Sequence, residues 1–329
     1  MPSAPDTPPD PALNSAPAPA SATNPPTNPA TNVTTNPATD PATRQAVREL
    51  VDLLRLEQLE HNLFRGLNRD VGSPAVFGGQ VLGQALMAAA RTVVDSQSVH
   101  SLHGYFLRAG DKAVPIVYEV DRIRDGASFT TRRVVAIQHG QAIFHMSASF
   151  HRREAGPAHQ SAMPAAPAPE TLVNEHLRQR AISSQLPQRM RPFLQQPQPV
   201  DLRAVDPLDL LAPEARPAQM LHWLRAADRL PDDALVHQAL LAYASDWSLM
   251  RVAMLPHRLN FTQPEVQGVS LDHAMWFHRD FRFDDWLLYQ ADSPSLSGAR
   301  GFCRGSLWTR DGQLVASVAQ EGLIRLRGA

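Results

Sequence analysis

The chain has 329 residues, 43% of them apolar, which is enough for one large domain or two smaller ones around a real core. Lys and Arg total 31 against 32 Asp and Glu, a formal charge of −1. That balance argues against a nucleic-acid-binding protein, which would carry a basic face. A single cysteine, Cys303, excludes an internal disulfide and a thiolate metal cluster and fits a reducing compartment; beside Phe302 in a strand context it reads as a small packing residue.

Residues 1–43 are Pro, Ala, Thr, Asn and Ser, with a loose repeat of Thr-Asn-Pro and Asn-Pro-Ala-Thr. They hold almost no large apolar side chains, so they cannot offset the entropy of ordering, and a disordered tail without chemistry is expected. No basic start followed by an apolar stretch opens the chain, and no arginine precedes Arg44, so neither a secretory signal nor a mitochondrial presequence is expected. Arg327-Gly328-Ala329 is not a peroxisomal address. No apolar run approaches the roughly 20 residues of a membrane helix. A cytoplasmic protein without membrane insertion is the expectation.

Residues 44–154 form the first expected folded unit. A helix-like Ala- and Leu-rich run, Val81 to Ala90, opens just after Gly78-Gly79. Strands follow at Leu102–Arg108 and Ile116–Val120, then a hairpin from Arg132 to Phe150 turning at His139-Gly140. Residues 155–198 are rich in Pro, Ala and Gln and read as a linker with one short helix near residues 172–182. Residues 199–329 then repeat the first unit. Val236 to Ala244 matches Val81 to Ala90 around a shared Gln-Ala-Leu, and His273 to Arg279 matches Leu102 to Arg108. A strand at Trp286–Tyr289 precedes a second hairpin, Arg304 to Leu323, turning at Asp311-Gly312, a strong hairpin signal. Each unit is thus one apolar helix plus a run of antiparallel strands. Such a helix needs a curved sheet to wrap it, which makes the class α+β. Two copies in one chain make a double hotdog.

Six blocks carry a resemblance to a known family. They are Val76-Phe77-Gly78-Gly79-Gln80-Val81, Ser101 through Asp111, Arg124 through Phe129, Tyr243-Ala244-Ser245-Asp246, Leu271 through Arg279, and Gln320-Glu321-Gly322. In this order they resemble the acyl-CoA thioesterase II family, from about Val47 to Arg325. The resemblance implies a double hotdog, hydrolysis of acyl-CoA thioesters with broad chain-length tolerance, no cofactor, and an oligomer; a homodimer or homotetramer is expected. It also implies a catalytic trio of Asp, Thr or Ser, and Gln, which falls here on Asp246, Ser270 and Gln320. Many bacterial members carry Thr where this chain has Ser270. The hydroxyl is kept and only the rotamer restriction of a β-branched side chain is lost.

These residue types suit the chemistry. Leu235, Ala239, Ala242 and Asp246 share one helix face, so a carboxylate would end an otherwise apolar stripe. Burying it unpaired would cost several kcal/mol, so partners are expected. A desolvated carboxylate is also a better general base. Ser270 and Gln320 can each donate and accept, and Gln320 shares strand parity with Leu314, Ala316 and Val318. The repeat places Thr92 opposite Asp246, Val99 opposite Ser270 and Ala148 opposite Gln320, so one active site per chain is expected, in the second copy. For the thioester oxygen, the helix start at Gly78-Gly79-Gln80 offers backbone N–H groups, with Gly79 and Gln80 the expected substrate-binding residues. Arg108, Arg279 and Arg300 are weaker candidates for CoA phosphates. No metal site is expected from the thirteen histidines; His100, His103, His273 and His278 read as packing or hydrogen-bonding strand residues.

Three rivals compete with this reading. A serine hydrolase would want a G-x-S-x-G elbow, and none occurs. A hotdog hydratase or dehydratase would want a His and an acid near the central helix; His237 is there, without an acid on its face. A non-catalytic acyl-CoA-binding protein could keep the same fold.

Overall fold

The computed structural model describes residues 40–328. Most of the expected tail, residues 1–39, lies outside them. Helix α1 (Pro41–Leu54) begins three residues before the expected boundary at Arg44. The reason is local: the Asp40 carboxylate accepts from the Ala42 N–H at 3.2 Å and Pro41 stands in the first turn, where its missing N–H costs nothing. The helix buries Ala46, Val47, Leu50, Val51 and Leu54, spaced as one face.

The first repeat continues with β1 (Glu57–Glu60), β2 (Leu63–Gly66), α2 (Gly78–Ala90), β3 (Gln97–Phe106), β4 (Ile116–Asp125), β5 (Phe129–Gln138) and β6 (Gln141–Arg152). The connecting segment holds α3 (Glu175–Ala181) and α4 (Arg191–Gln195). The second repeat comprises β7 (Val200–Ala204), β8 (Gln219–Ala226), α5 (Ala234–Ser245), a 3-10 segment Leu249–His257, β9 (Val266–Ser270), β10 (Asp272–Phe277), β11 (Leu287–Ser297), β12 (Arg300–Thr309) and β13 (Leu314–Leu326).

The strand order is β1-β2-β4-β5-β6-β3-β10-β13-β12-β11-β8-β7, with β9 added on β13. From the β3–β10 junction outward the two halves carry the same order, so the internal repeat is structural as well as sequential. The junction register is symmetric: Ser101 faces Trp276, Tyr105 faces Asp272, and His103 faces Ala274 between them. The two antiparallel sheets of the double hotdog therefore join edge to edge into one surface, and neither central edge is left unpaired. The hairpins turn where expected, with positive φ at His139 and Gly140 and at Gly312.

Helices α2 and α5 are buried almost all round, which is why their apolar residues show no polar stripe. They pack antiparallel: a Cβ on Gly79 would lie 2.2 Å from the Tyr243 carbonyl oxygen, and one on Gly83 3.0 Å from that of Ala239. Only a residue without a side chain permits this approach at Gly79. The start of α2 is thereby brought against the end of α5.

The connecting segment is not a loose spacer. The Trp223 indole N–H donates to the Pro167 carbonyl at 2.9 Å, Gln160 Nε2 donates to the Gly312 carbonyl at 2.7 Å, and Arg310 pairs with Glu170 at 2.6 Å. Met163, Ala166 and Leu172 pack on Trp223, Trp286 and Leu288. Its Pro and Ala content reflects an extended strap laid against the second repeat.

Candidate active site

Asp246 is the residue that caps the C-terminus of α5. Its side chain is only 4% exposed. Ser270 ends β9, and its hydroxyl donates to Asp246 Oδ1 at 3.1 Å. Gln320 lies inward on β13, 1% exposed, and its Nε2 donates to the same oxygen at 2.5 Å. The three sequence-predicted residues therefore meet, although Ser270 is 24 and Gln320 74 residues along the chain from Asp246. The strands explain this. Ser270 pairs with Gly322 across β9 and β13, two residues beyond Gln320. Alternation along β13 then turns Gln320 toward the helix with Val318 and Ala316.

Two acceptors remain open in this cluster. Gln320 Oε1 has no hydrogen-bond partner among the described residues. Asp246 Oδ2 accepts no hydrogen bond there either, and it faces the first repeat: a Cβ built on Gly78 would stand 2.8 Å from it and 3.0 Å from the Phe106 ring. Oδ1 is thus held by two donors while Oδ2 looks onto the start of α2. A carboxylate held in this way can orient a water and take its proton, with Gln320 Oε1 accepting the other O–H.

The start of α2 is where backbone donors were expected. The Gln80 N–H donates to the Phe77 carbonyl at 3.1 Å. The Gln80 side chain is turned toward the loop before α2: Oε1 accepts from the Arg69 N–H at 2.9 Å, and Nε2 donates to Asn68 Oδ1 at 2.9 Å. Both polar ends of the Gln80 side chain are therefore committed to the fold, which leaves its backbone N–H, the donor expected from the sequence, in the first turn of α2. Gly79 lies in the tight contact with Tyr243. Gly78 is nearest to Asp246, so the first-turn N–H groups at Gly78 and Gly79 are the better donors. The other weak candidates also have structural partners. Arg108 donates to the Ala142 carbonyl at 2.7 Å and Arg279 to that of Leu314 at 2.8 Å, the same bond in each repeat, while Arg300 pairs with Glu321.

His273 is the residue whose surroundings the sequence did not reveal. It is fully buried on β10, and its Nε2 lies 2.9 Å from the Ser245 hydroxyl. That hydroxyl already donates to the Ala242 carbonyl, so the network assigns the proton to His273 Nε2. Its Nδ1 has no hydrogen-bond partner among the described residues and lies 4.0 Å from Asp246 Oδ1. Burial pushes the imidazole's pKa down, against the pull of Asp246. The repeat held a signal for it: His273 corresponds to Leu102, a fully buried apolar residue, so a polar group has replaced a core one. His237, in contrast, is fully used by the fold, accepting from the Phe283 N–H through Nδ1 at 2.9 Å and meeting the Pro231 carbonyl through Nε2 at 3.1 Å.

A cavity of about 600 Å³ opens beside the cluster. Tyr243, Ala244, Trp247 and Ser248 form one wall; Asp246 itself is not in the lining. Phe77 links the two places. It precedes Gly78, and its ring stands edge-on to both Tyr243 and Trp247 at 5.1 Å. Leu202, Leu221, Leu224 and Leu255 make the cavity largely apolar, within the usual size range of small-molecule sites.

Comparison with known proteins agrees with this anatomy. The family model described as acyl-CoA thioesterase matches residues 212–323, and that of the acyl-CoA thioesterase N-terminal domain matches residues 68–151. Acyl-coenzyme A thioesterase 8 of Homo sapiens is 41% identical over 284 residues, covering 84% of this chain and 88% of that protein. The crystal structure of an acyl-CoA thioesterase II, TesB2, from Mycobacterium marinum superposes with a TM-score of 0.70 at 46% identity, over 85% of this chain and 99% of that one. A hot dog fold protein from Alicyclobacillus acidocaldarius, 20% identical, superposes at 0.68 over 84% of this chain and 98% of its own, a likeness of fold.

Proposed function

The chain belongs to the acyl-CoA thioesterase family, and from that premise we propose that it hydrolyses fatty acyl-CoA to fatty acid and CoA with a water activated by Asp246. Asp246 Oδ2 takes one proton from the water, whose oxygen attacks the thioester carbonyl. Ser270 and Gln320 hold the carboxylate through Oδ1 and keep its other oxygen aimed. The carbonyl oxygen gathers negative charge and is met by the N–H groups and positive end of α2. The C–S bond then breaks, and the thiolate of CoA recovers the proton from Asp246. No covalent enzyme intermediate is formed. The acyl chain takes the apolar cavity behind Phe77.

The observation that carries this reading is the meeting of Asp246, Ser270 and Gln320 around one buried carboxylate whose free oxygen faces the start of α2. A hydratase reading is less favoured, because both nitrogens of His237 are bonded and His273 is fully buried. Release of free thiol from decanoyl-CoA or palmitoyl-CoA, followed with a thiol reagent, is the test. Steady release that Asp246→Ala abolishes supports the proposal; tight binding without release supports the acyl-CoA-binding alternative. No described helix is long and apolar enough to cross a membrane. We further propose a cytoplasmic homodimer or homotetramer, to be checked by light scattering.

A further inference from the structure

The cavity beside the active site is lined by a cation that makes no side-chain hydrogen bond or ion pair among the described residues. Four charged side chains line it: Glu175, Asp206, Arg216 and Arg251. Arg216 pairs with Asp206 at 2.9 Å, and Glu175 binds Arg178 at 3.1 Å and Gln179 at 3.2 Å. Arg251, on the 3-10 segment, makes no side-chain hydrogen bond or ion pair among the described residues. It touches the cavity's open space yet lies deep enough that burial lowers its pKa, with the charge of Glu175 acting the other way. The buried His222 nearby cannot share the charge: burial first, and Arg251 second, hold its pKa at about 3. The imidazole that does line the cavity, His176, is held at about 4, mainly by burial.

A cation with no fixed partner, at one side of an otherwise apolar chamber, matches an anion with a hydrocarbon body. One guanidinium offers a fork for a single carboxylate. A phosphate dianion would fit less well, because Glu175 adds a like charge to the same wall. We propose that this cavity binds an alkyl chain ending in a carboxylate, with the carboxylate on Arg251 and the chain along Leu202, Leu221 and Leu224. This rests on the thioesterase reading for its biological source. That source is either the fatty acid released by the reaction or the distal carboxylate of a dicarboxylyl-CoA.

Calorimetric titration of the full chain with decanoate and with 1-decanol tests the charge recognition. The wild type is expected to bind decanoate at least about tenfold more tightly than decanol, as a charge-assisted hydrogen bond predicts. Arg251→Met should erase that preference while still binding decanol, and Arg251→Lys should keep part of it. Equal affinities in the wild type, or a preference that survives in a folded Arg251→Met, would overturn the proposal. If Arg251→Met fails to fold, the wild-type comparison and Arg251→Lys still decide it. Kinetics separate the sources: decanoate inhibiting hexanoyl-CoA hydrolysis marks the product, and a higher kcat/KM for decanedioyl-CoA than for decanoyl-CoA marks the distal carboxylate. Absence of thiol release from every acyl-CoA would defeat the thioesterase reading and leave the binding result to stand or fall separately.

Discussion

The two repeats share a helix, a strand order and a hairpin register, yet fill the equivalent space with opposite chemistry. In the second, Cys303 lies across from Gln320, and the end of α5 supplies Asp246. In the first, Arg132 lies across from Ala148, and its guanidinium occupies the region below the end of α2. It is 1% exposed and donates to the Thr92 hydroxyl at 2.8 Å, to the Thr92 carbonyl at 2.9 Å, and to Asp125. A small thiol in one copy leaves room for an amide and a carboxylate. A long cation in the other saturates the helix end and closes it. On the proposed mechanism the scaffold is neutral toward catalysis, and two or three side chains decide which copy can hold a water.

Mutations can break this contrast in a graded way. Asp246→Asn removes the proposed base while keeping its shape and is expected to lower kcat by about 10²- to 10⁴-fold, with an unchanged circular dichroism spectrum. Gly78→Ala places a methyl group 2.8 Å from Asp246 Oδ2, and steady-state kinetics should show a loss of about 10²-fold from the misplaced water. Gln320→Ala strips one of the two donors from Oδ1; a fall in kcat of about tenfold or somewhat more is expected. Arg132→Met tests the closed copy. Urea denaturation should show about 1–3 kcal/mol less stability, because the carbonyls of Thr92, Arg124 and Thr131 lose their donor, while kcat stays within about twofold. Asp125 is 63% exposed and adds little to that figure. Ser270→Thr, which keeps the hydroxyl and restricts its rotamer, should change kcat least, by about twofold or less. A large loss in Arg132→Met at preserved stability would show that the first copy takes part in the chemistry.

Much of the fold could be read from the chain because its signals are local. Helices buried on every side need long apolar runs, and the hairpins needed residues that accept positive φ, as Gly140 and Gly312 do. The proposed trio was named only through family resemblance, since a serine or glutamine on a strand has no local mark of function, and the structure shows that its three side chains meet. Gly78 was bracketed by the glycine pair that opens α2, but its place over Asp246 depends on a contact between two helices. The side-chain partners of Gln80 could not be read, because they lie in the preceding loop, where sequence gives no geometry.

The sequence by itself determined the repeat, the two central helices and the asymmetry between Asp246 and Thr92, because these follow from periodicity and residue identity. Tertiary structure decided that Asp246 turns its open oxygen toward the other repeat, that His273 stands behind it, and that Arg251 faces a cavity with no side-chain hydrogen bond or ion pair among the described residues. Those facts depend on the packing of distant segments, and no one-dimensional pattern encodes the distance between two atoms that meet only after the chain has folded.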